Sequence, residues 1–450
     1  MPTQTRTRAI TVLIAATVAL GGLLFGYDTA VISGAILFVR KQFQLTTLGT
    51  ELATSIVLVG ALVGAAIGGY LGDRFGRKPI LILTAIFFAV FAVATGLANG
   101  LPVFVAARFL VGVAVGVTSL LTPLYIAEIA PARTRGALVT LNQLAIVVGI
   151  AVAYCVDYFF AASGNWRAMF ISAVVPSVIL LVGLLFLPET PRWLAVRGRF
   201  DRASAILNRI ESPEEAERNL RELRLVTEID RVTLADLFGP RFRRPVFVGV
   251  VLAAFSQITG VNSIIYYTPT ILQMAGFESA SSAILGTVLV GVVNVVATVI
   301  SLLLLDRLGR RPLLLVGIIG MGLSLTHLGF SFGAAQLSRA IILMDVIVYL
   351  ASFAIGLGCV FWLIASEIYP TTVRAQAMSL ATLTVWATDF LVTMTFLTLV
   401  EKLRPRRAFW LYAVACLAAV LFSLWMVPET KGRTLEEIET GWIKKSARVG

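Results

Sequence analysis

The chain has 450 residues, 58 % of them hydrophobic and 14 % charged, with a mean hydropathy of +0.90. Those proportions exclude a water-soluble globular protein, because no single aqueous core holds that much apolar sequence. A net charge of +12 would favour nucleic acid as a partner if it formed one patch, but the basic residues lie between apolar runs, so no nucleic-acid partner is expected.

Hydropathy predicts twelve membrane-crossing helices. The first six lie at roughly 10–38, 50–71, 79–99, 101–124, 138–160 and 167–187. The second six lie at roughly 245–274, 281–305, 312–332, 340–364, 374–400 and 408–427. Helices are required, since a lone segment in hydrocarbon must satisfy its own main-chain polar groups. The first run continues to about Val39 without a small-residue cleavage site, so it is not a cleavable leader. Cys155, Cys359 and Cys416 stand alone in apolar segments and read as packing residues. Gly60, Gly64 and Gly68 on the second span, and Gly112 and Gly116 on the fourth, form rows that let helix backbones approach closely.

An even number of spans puts both termini on one side. On that side lie 28 of the 37 Lys and Arg residues and on the other 8, with Arg108 inside a span. The bias predicts cytoplasmic termini. One loop, with Lys402, Arg404, Arg406 and Arg407, runs against it. Only 6 of the basic residues are Lys, which hints at a GC-rich bacterial genome. Residues 188–244 are polar, and Ser212-Pro213-Glu214-Glu215 predicts a capped helix start within them. The expected organisation is an all-α membrane protein: a six-helix bundle at 1–187, a cytosolic helical linker at 188–244, a second six-helix bundle at 245–427 and a cytosolic tail at 428–450. Glu436, Glu437 and Glu439 give that tail a short amphipathic segment.

Three charged strings recur in order. Gly72-Asp73-Arg74-Phe75-Gly76-Arg77-Lys78 returns as Asp306-Arg307-Leu308-Gly309-Arg310-Arg311. Glu128-Ile129-Ala130-Pro131 with Arg135 returns as Glu367-Ile368-Tyr369-Pro370 with Arg374. Pro188-Glu189-Thr190, with Arg192 close behind, returns as Pro428-Glu429-Thr430. The offsets of 233, 239 and 240 residues make the chain two copies of one unit.

These strings resemble the signatures of the major facilitator superfamily and of its sugar porter family. The match extends to Pro188-Glu189-Thr190-Pro191-Arg192-Trp193-Leu194, Pro428-Glu429-Thr430-Lys431-Gly432-Arg433, and Gln257-Ile258-Thr259-Gly260-Val261-Asn262 followed by Tyr266-Tyr267. The resemblance implies two six-helix bundles that alternately open around a substrate near the midplane. It assigns a gating role on the cytoplasmic side to Asp73, Arg74, Arg77, Glu128, Arg135, Glu189 and Arg192, and to Asp306, Arg307, Arg310, Arg311, Glu367, Arg374 and Glu429. The simpler reading is that Gly76 and Gly309 make tight turns while the arginines hold orientation.

A charge inside a span costs about 2.5–3.5 kcal/mol on insertion scales unless paired. Asp28 and Arg108 lie at similar depths in the first and fourth spans, so they could meet. Proton-coupled members of the family place an acid and an arginine there. Loosening the contact would let Asp28 take up a proton, which makes a workable switch; the other reading is a static ion pair. A sugar needs amides for its hydroxyls and flat apolar faces for its C–H surface. By resemblance Gln143, Gln257, Asn262 and Asn294 supply the amides. Trp362, Trp386 and Phe25 supply walls, and Tyr266 and Tyr267 close the outer side. Ser256 and Val385 stand where amides are common, Asp389 replaces an amide, and Gly358-Cys359 replaces Gly-Pro. Asp389 would accept from a polyol's hydroxyls, take part in proton movement, or pair with a further residue. Asp157 and Asp345 read as interfacial, and His327 as a packing residue.

The expected function is proton-coupled symport of a monosaccharide or polyol across a bacterial plasma membrane, by a monomeric unit. A passive facilitator and a non-transporting sugar sensor are the alternatives. No Lys follows a Gly, so there is no P-loop, and no metal-ligand cluster appears; neither an enzyme nor any cofactor beyond the coupling proton is expected.

Overall fold

The computed structural model describes residues 2–131, 133–226, 237–239, 242–336, 338–370, 372–432 and 437, with only the backbone of residues 2–8, 213, 225, 226 and 306. The expectations for the Asp306 carboxyl, Arg433, Glu436 and Glu439 lie outside the described groups. Among the described residues, eleven helical stretches are long and apolar enough to cross a membrane: Ala9–Gln42, Thr47–Phe75, Arg77–Gly96, Leu101–Ile129, Arg135–Ala161, Trp166–Phe186, Arg243–Met274, Ala280–Leu305, Arg310–Ser331, Arg339–Ile368 and Arg374–Met426. The last is two spans, because Arg404 takes φ 67° and ψ 155° ahead of Pro405 and ends the first of them. Twelve crossings result, as hydropathy predicted.

Several spans are interrupted. The seventh stops at Ile258 and resumes at Val261, with Gly260 at φ 90°, a conformation that suits a residue without Cβ. Tyr349 Oη donates to the freed carbonyl of Thr259 at 2.8 Å, so the break is satisfied inside the protein. The tenth carries a wide π turn at Ala354–Gly358, immediately before Cys359. In the linker, Pro191–Val196, Phe200–Ile210 and Pro213–Val226 are helices. Ser212 Oγ accepts from the main-chain N–H of Glu215 at 3.3 Å, which is the predicted cap.

Close backbone approach is a recurring device. A Cβ on Gly60 or Gly64 would lie 2.1 Å from the carbonyl oxygen of Phe109 or Val113, and one on Gly116 2.0 Å from that of Ala61. The second and fourth spans therefore touch backbone to backbone along the predicted glycine rows. Of the cysteines, Cys416 is buried and Cys359 half-buried, but Cys155 is exposed and is not a packing residue.

Contact density groups the chain into two compact units. One comprises Met1–Thr29, Gly60–Ala153 and Arg167–Arg231, and so includes the linker helices. The other comprises Ala30–Val59, Tyr154–Trp166 and Val232–Gly450. The units part company with the 187/188 boundary because ends of three early spans are tied into the second unit. Glu51, fully buried, accepts from the N–H of Thr398 at 2.6 Å and its hydroxyl at 2.7 Å. Tyr154 Oη donates to the carbonyl of Ile265 at 3.0 Å. Asp157 accepts from the N–H of Gly34 at 3.0 Å and is fully buried, not interfacial as expected.

Candidate functional site: two charged knots, a buried acid–arginine contact and an amide chain

Each unit carries one charged knot, and the two are built alike. In the first unit Gly76, at φ 108°, turns the chain so that Glu189 accepts from the N–H groups of Arg77 (3.2 Å), Lys78 (3.1 Å) and Thr190 (2.8 Å). Arg77 Nη2 donates to Glu128 Oε1 at 3.0 Å, and Thr190 Oγ1 donates to Glu128 Oε2 at 2.6 Å. In the second unit Gly309, at φ 97°, brings the N–H groups of Arg310 and Arg311, each at 3.1 Å, onto Glu429. Arg310 Nη2 donates to Glu367 Oε1 at 3.2 Å, and Thr430 Oγ1 donates to Glu367 Oε2. Gly76 and Gly309 are required twice over: by their positive φ, and because a Cβ would lie 2.4 Å and 2.9 Å from the facing carboxylates.

The tight-turn reading holds at both glycines, and the charged groups pair within their own unit. The remaining expected gating residues stand elsewhere. Arg74 is exposed and bonds to Tyr70 Oη; Arg135 and Arg192 are exposed. Arg307 contributes its carbonyl, which accepts from Lys431 Nζ at 2.7 Å. Arg374 Nε donates to the carbonyl of Tyr369 at 3.3 Å. Asp73 is an exposed partner of Arg77 at 3.0 Å. A linker contact that sequence reasoning missed clamps this turn: Trp193 Nε1 donates to the Asp73 carbonyl at 2.9 Å.

The twin carboxylates are poised differently. Burial outweighs the main-chain donors at Glu189 and raises it from 4.5. At Glu429 burial works in the same direction, but donors from Lys431, Arg310, Arg311 and Thr430 prevail and hold it below 4.5. A lowered acid binds fewer protons folded than unfolded, so Glu429 adds stability that is fully present above 4.5 and lost as pH falls through its folded value. Glu429→Gln is therefore expected to unfold at a lower temperature than the parent at pH 7, with the two proteins converging as the detergent solution is acidified below about 4.5. Glu189 has the opposite sign: its ionisation costs stability as pH rises from 4.5 through its raised value.

Inside the first unit, Asp28 and Arg108 meet as depth predicted. Arg108 is fully buried and its Nη1 donates to the main-chain carbonyl of Asp28 at 2.9 Å. Its guanidinium lies over the Phe170 ring, 5.4 Å from the centroid. Asp28 is 1 % exposed, and its Oδ2 is buried without a hydrogen-bond partner among the described residues. Neighbouring contacts hold this stretch rigidly: Tyr27 Oη donates to the carbonyl of Met169 at 2.9 Å, and a Cβ on Gly26 would lie 1.9 Å from the Ile146 carbonyl oxygen. Gln143, three residues ahead of Ile146, is half-buried, as is Phe25.

The second unit holds a chain of amides around the broken seventh span. Gln257 Nε2 donates to Ser256 Oγ at 3.0 Å, and Gln257 Oε1 accepts from Asn262 Nδ2 at 2.9 Å. The same Asn262 amide donates to Asp389 Oδ2 at 2.6 Å, where Tyr266 Oη also donates at 3.4 Å. Thr393 Oγ1, one turn beyond Asp389, donates to its other oxygen at 3.0 Å. Thus Asp389 pairs with the Asn262 amide, and Ser256 supplies the hydroxyl that ends the chain. Asn294 and Trp386 are buried, and Trp362 is half-buried with its ring 4.7 Å from that of Phe361. Tyr267 is fully buried and stacks on Phe396 at 5.2 Å. Two expectations need correction. His327 does not pack in a core: its side chain is 62 % exposed, and Nδ1 bonds Asp345 Oδ1 at 2.8 Å. Asp345 is buried and held also by Ser331 Oγ at 3.2 Å, so it is not merely interfacial.

Twelve crossings in two repeated sets, with few charges inside the spans, define a multi-pass membrane protein. The chain belongs to the Sugar (and other) transporter family, whose model matches residues 14–442. It is 38 % identical over 447 residues to the galactose-proton symporter of Escherichia coli, covering 97 % of this chain and 95 % of that protein. It is 36 % identical over 451 residues to the arabinose-proton symporter of Bacillus subtilis, covering 98 % and 97 %. Its fold is similar to the major facilitator superfamily proton:xylose symporter XylE bound to 6-bromo-6-deoxy-D-glucose, with TM-score 0.83, 34 % identity and coverage of 97 % and 100 %.

Proposed function

We propose that the chain is a proton-coupled symporter of a monosaccharide or polyol, working by alternating access as a monomeric unit in a bacterial plasma membrane with both termini cytoplasmic. The observation that carries this reading is Asp28: a carboxyl group 1 % exposed, beside the fully buried Arg108, with one oxygen free of protein hydrogen bonds. Such a group can hold or release a proton at little steric cost, and its neighbour's charge sets which. The relatives named for galactose, arabinose and xylose are proton symporters by name, which supports the same coupling here. Gln143, Gln257, Asn262 and Asn294 are the proposed donors and acceptors for sugar hydroxyls, with Trp362, Trp386, Phe25, Tyr266 and Tyr267 as apolar walls. Glu128, Glu189, Arg77 and their counterparts Glu367, Glu429 and Arg310 are the proposed gate on the cytoplasmic side. Each knot joins three separated segments of its own unit, so it moves as a block.

The test is counterflow in proteoliposomes with labelled glucose, galactose, xylose, arabinose, fucose and inositol. At least one is expected to exchange across the membrane; exchange of none would remove the reading. Within that assay Gln257→Ala is expected to weaken the apparent affinity by between about twofold and a hundredfold, the loss of one or two buried hydrogen bonds at about 0.5–1.5 kcal/mol each.

A further inference from the structure

Asp389 carries a second chemistry. It is 1 % exposed, and every group that touches its carboxyl oxygens among the described residues is neutral: Asn262, Tyr266 and Thr393. Among the described residues, the helices packed against its own bring no cation to it. On those helices, the Arg310 guanidinium is held by Glu367, that of Arg311 by the main-chain carbonyl of Leu424, and His327 by Asp345. Arg243 and Arg244 open the seventh span, a full helix before Gln257. Of the acids, Glu367 sits in its knot and Glu51 at Thr398; Tyr267 and Tyr412 flank Phe396, two turns further along. Cys359 is half-buried in the tenth span, and Glu401 accepts from Thr47 at the far end of Asp389's own helix. A carboxylate buried among neutral groups is costly unless neutralised, and among the described residues no charged side chain is there to neutralise it.

We propose that Asp389 is a second proton-binding site, distinct from Asp28, and that its proton releases Asn262 to the substrate; this rests on the reading of Gln257 and Asn262 as sugar contacts. The local geometry accommodates both states. Thr393 Oγ1 donates to Asp389 Oδ1 when the acid is ionised. When a proton sits on Oδ1, the same hydroxyl can rotate to accept it and donate instead to the main-chain carbonyl of Asp389, four residues back along the helix. Asn262 spends its amide on two acceptors, Gln257 at 2.9 Å and Asp389 at 2.6 Å. A sugar hydroxyl that needs an Asn262 N–H must take it from one of them. Taking it from a carboxylate costs more than taking it from a neutral acid. Sugar binding therefore draws a proton from water onto Asp389, and departure of the sugar returns it.

The experiment uses purified full-length protein with Asp28→Asn as the parent, so that the first acid cannot contribute, and D-galactose, L-arabinose and D-xylose as probes. Affinity is read by calorimetry between pH 5.5 and 8.5, and proton uptake by a dye in weak buffer. The parent is expected to lose sugar affinity as pH rises, by up to about tenfold per unit, the limit for one linked proton. It should also take up protons when sugar is added. Asp389→Asn in that background is expected to bind sugar with an affinity that varies less than about twofold across the range, the mark of a binding step without a linked proton, and to take up none. A parent protein that binds sugar without proton uptake overturns the proposal, as does a double variant that keeps the parent's pH dependence. Binding of none of the three sugars overturns the assignment of the pocket itself, and this inference with it.

Discussion

Proteoliposomes containing Asp28→Asn are expected to exchange labelled sugar at near the parent rate but to accumulate about tenfold less of it under an inward gradient of one pH unit. The Asp28 carboxyl is enclosed, one oxygen meets no donor among the described residues, and Arg108 bonds to the Asp28 main-chain carbonyl at 2.9 Å without filling that oxygen. Asparagine has the same shape and keeps the main-chain contact, so Arg108 and Phe170 stay in place and the helices pack as before. What disappears is the ability to carry a proton. Exchange needs only substrate contacts and alternation, whereas accumulation needs each proton that crosses to be linked to a sugar. A gradient of one pH unit drives about tenfold accumulation through each coupled proton, so losing the one that Asp28 carries costs about tenfold, whatever Asp389 contributes. If Asp28→Asn concentrates sugar as far as the parent does, the coupling role belongs to another group.

Gly116→Ala is expected to prevent assembly of a stable protein. The added methyl carbon would stand 2.0 Å from the carbonyl oxygen of Ala61 and 2.7 Å from the nitrogen of Ala65. Both obstacles are main chain in a helix, so no rotamer change relieves them, and the two helices must separate along the contact that Gly60 and Gly64 share. Overpacking that side chains can absorb costs about 1–3 kcal/mol. Here the backbone itself must move, and a loss above about 4 kcal/mol is expected, enough to abolish the monodisperse peak in size-exclusion chromatography. Gly136→Ala is the control, since a Cβ there meets nothing within 4 Å and a helix prefers alanine. It should leave the thermal midpoint unchanged or slightly raised; equal behaviour of the two variants would contradict the close-packing account.

What was legible in the sequence follows from the kind of signal each feature leaves. Hydropathy marks crossings because lipid imposes length, and repetition marked the knots because the same turn was built twice. Even the approach of the second and fourth spans was readable, since rows of Gly have few other uses in hydrocarbon. Partnership was not. That Thr190 and Arg77 grip the same Glu128, or that Trp193 clamps the Asp73 carbonyl, joins segments far apart in the chain, and spacing says nothing of which acid meets which base. His327 and Asp345 were separately visible but their bond was not. Glu51 and Thr393 passed unnoticed: one is a lone acid near a span's start, the other an ordinary helical threonine until Asp389 is seen a turn away. The break at Thr259–Gly260 likewise rests on a single positive φ and on the distant hydroxyl of Tyr349. The departure at Asp389 was conspicuous as an acid in an apolar run, and only its surroundings show that it has neutral company.

The central claim is that sugar and proton move together, and the most direct measurement is the pH of a lightly buffered medium outside proteoliposomes when an exchangeable sugar is added with no gradient imposed. The account predicts alkalinisation outside that follows sugar entry in time and is abolished by a protonophore. Sugar entry with an unchanged external pH would contradict it and leave a facilitator.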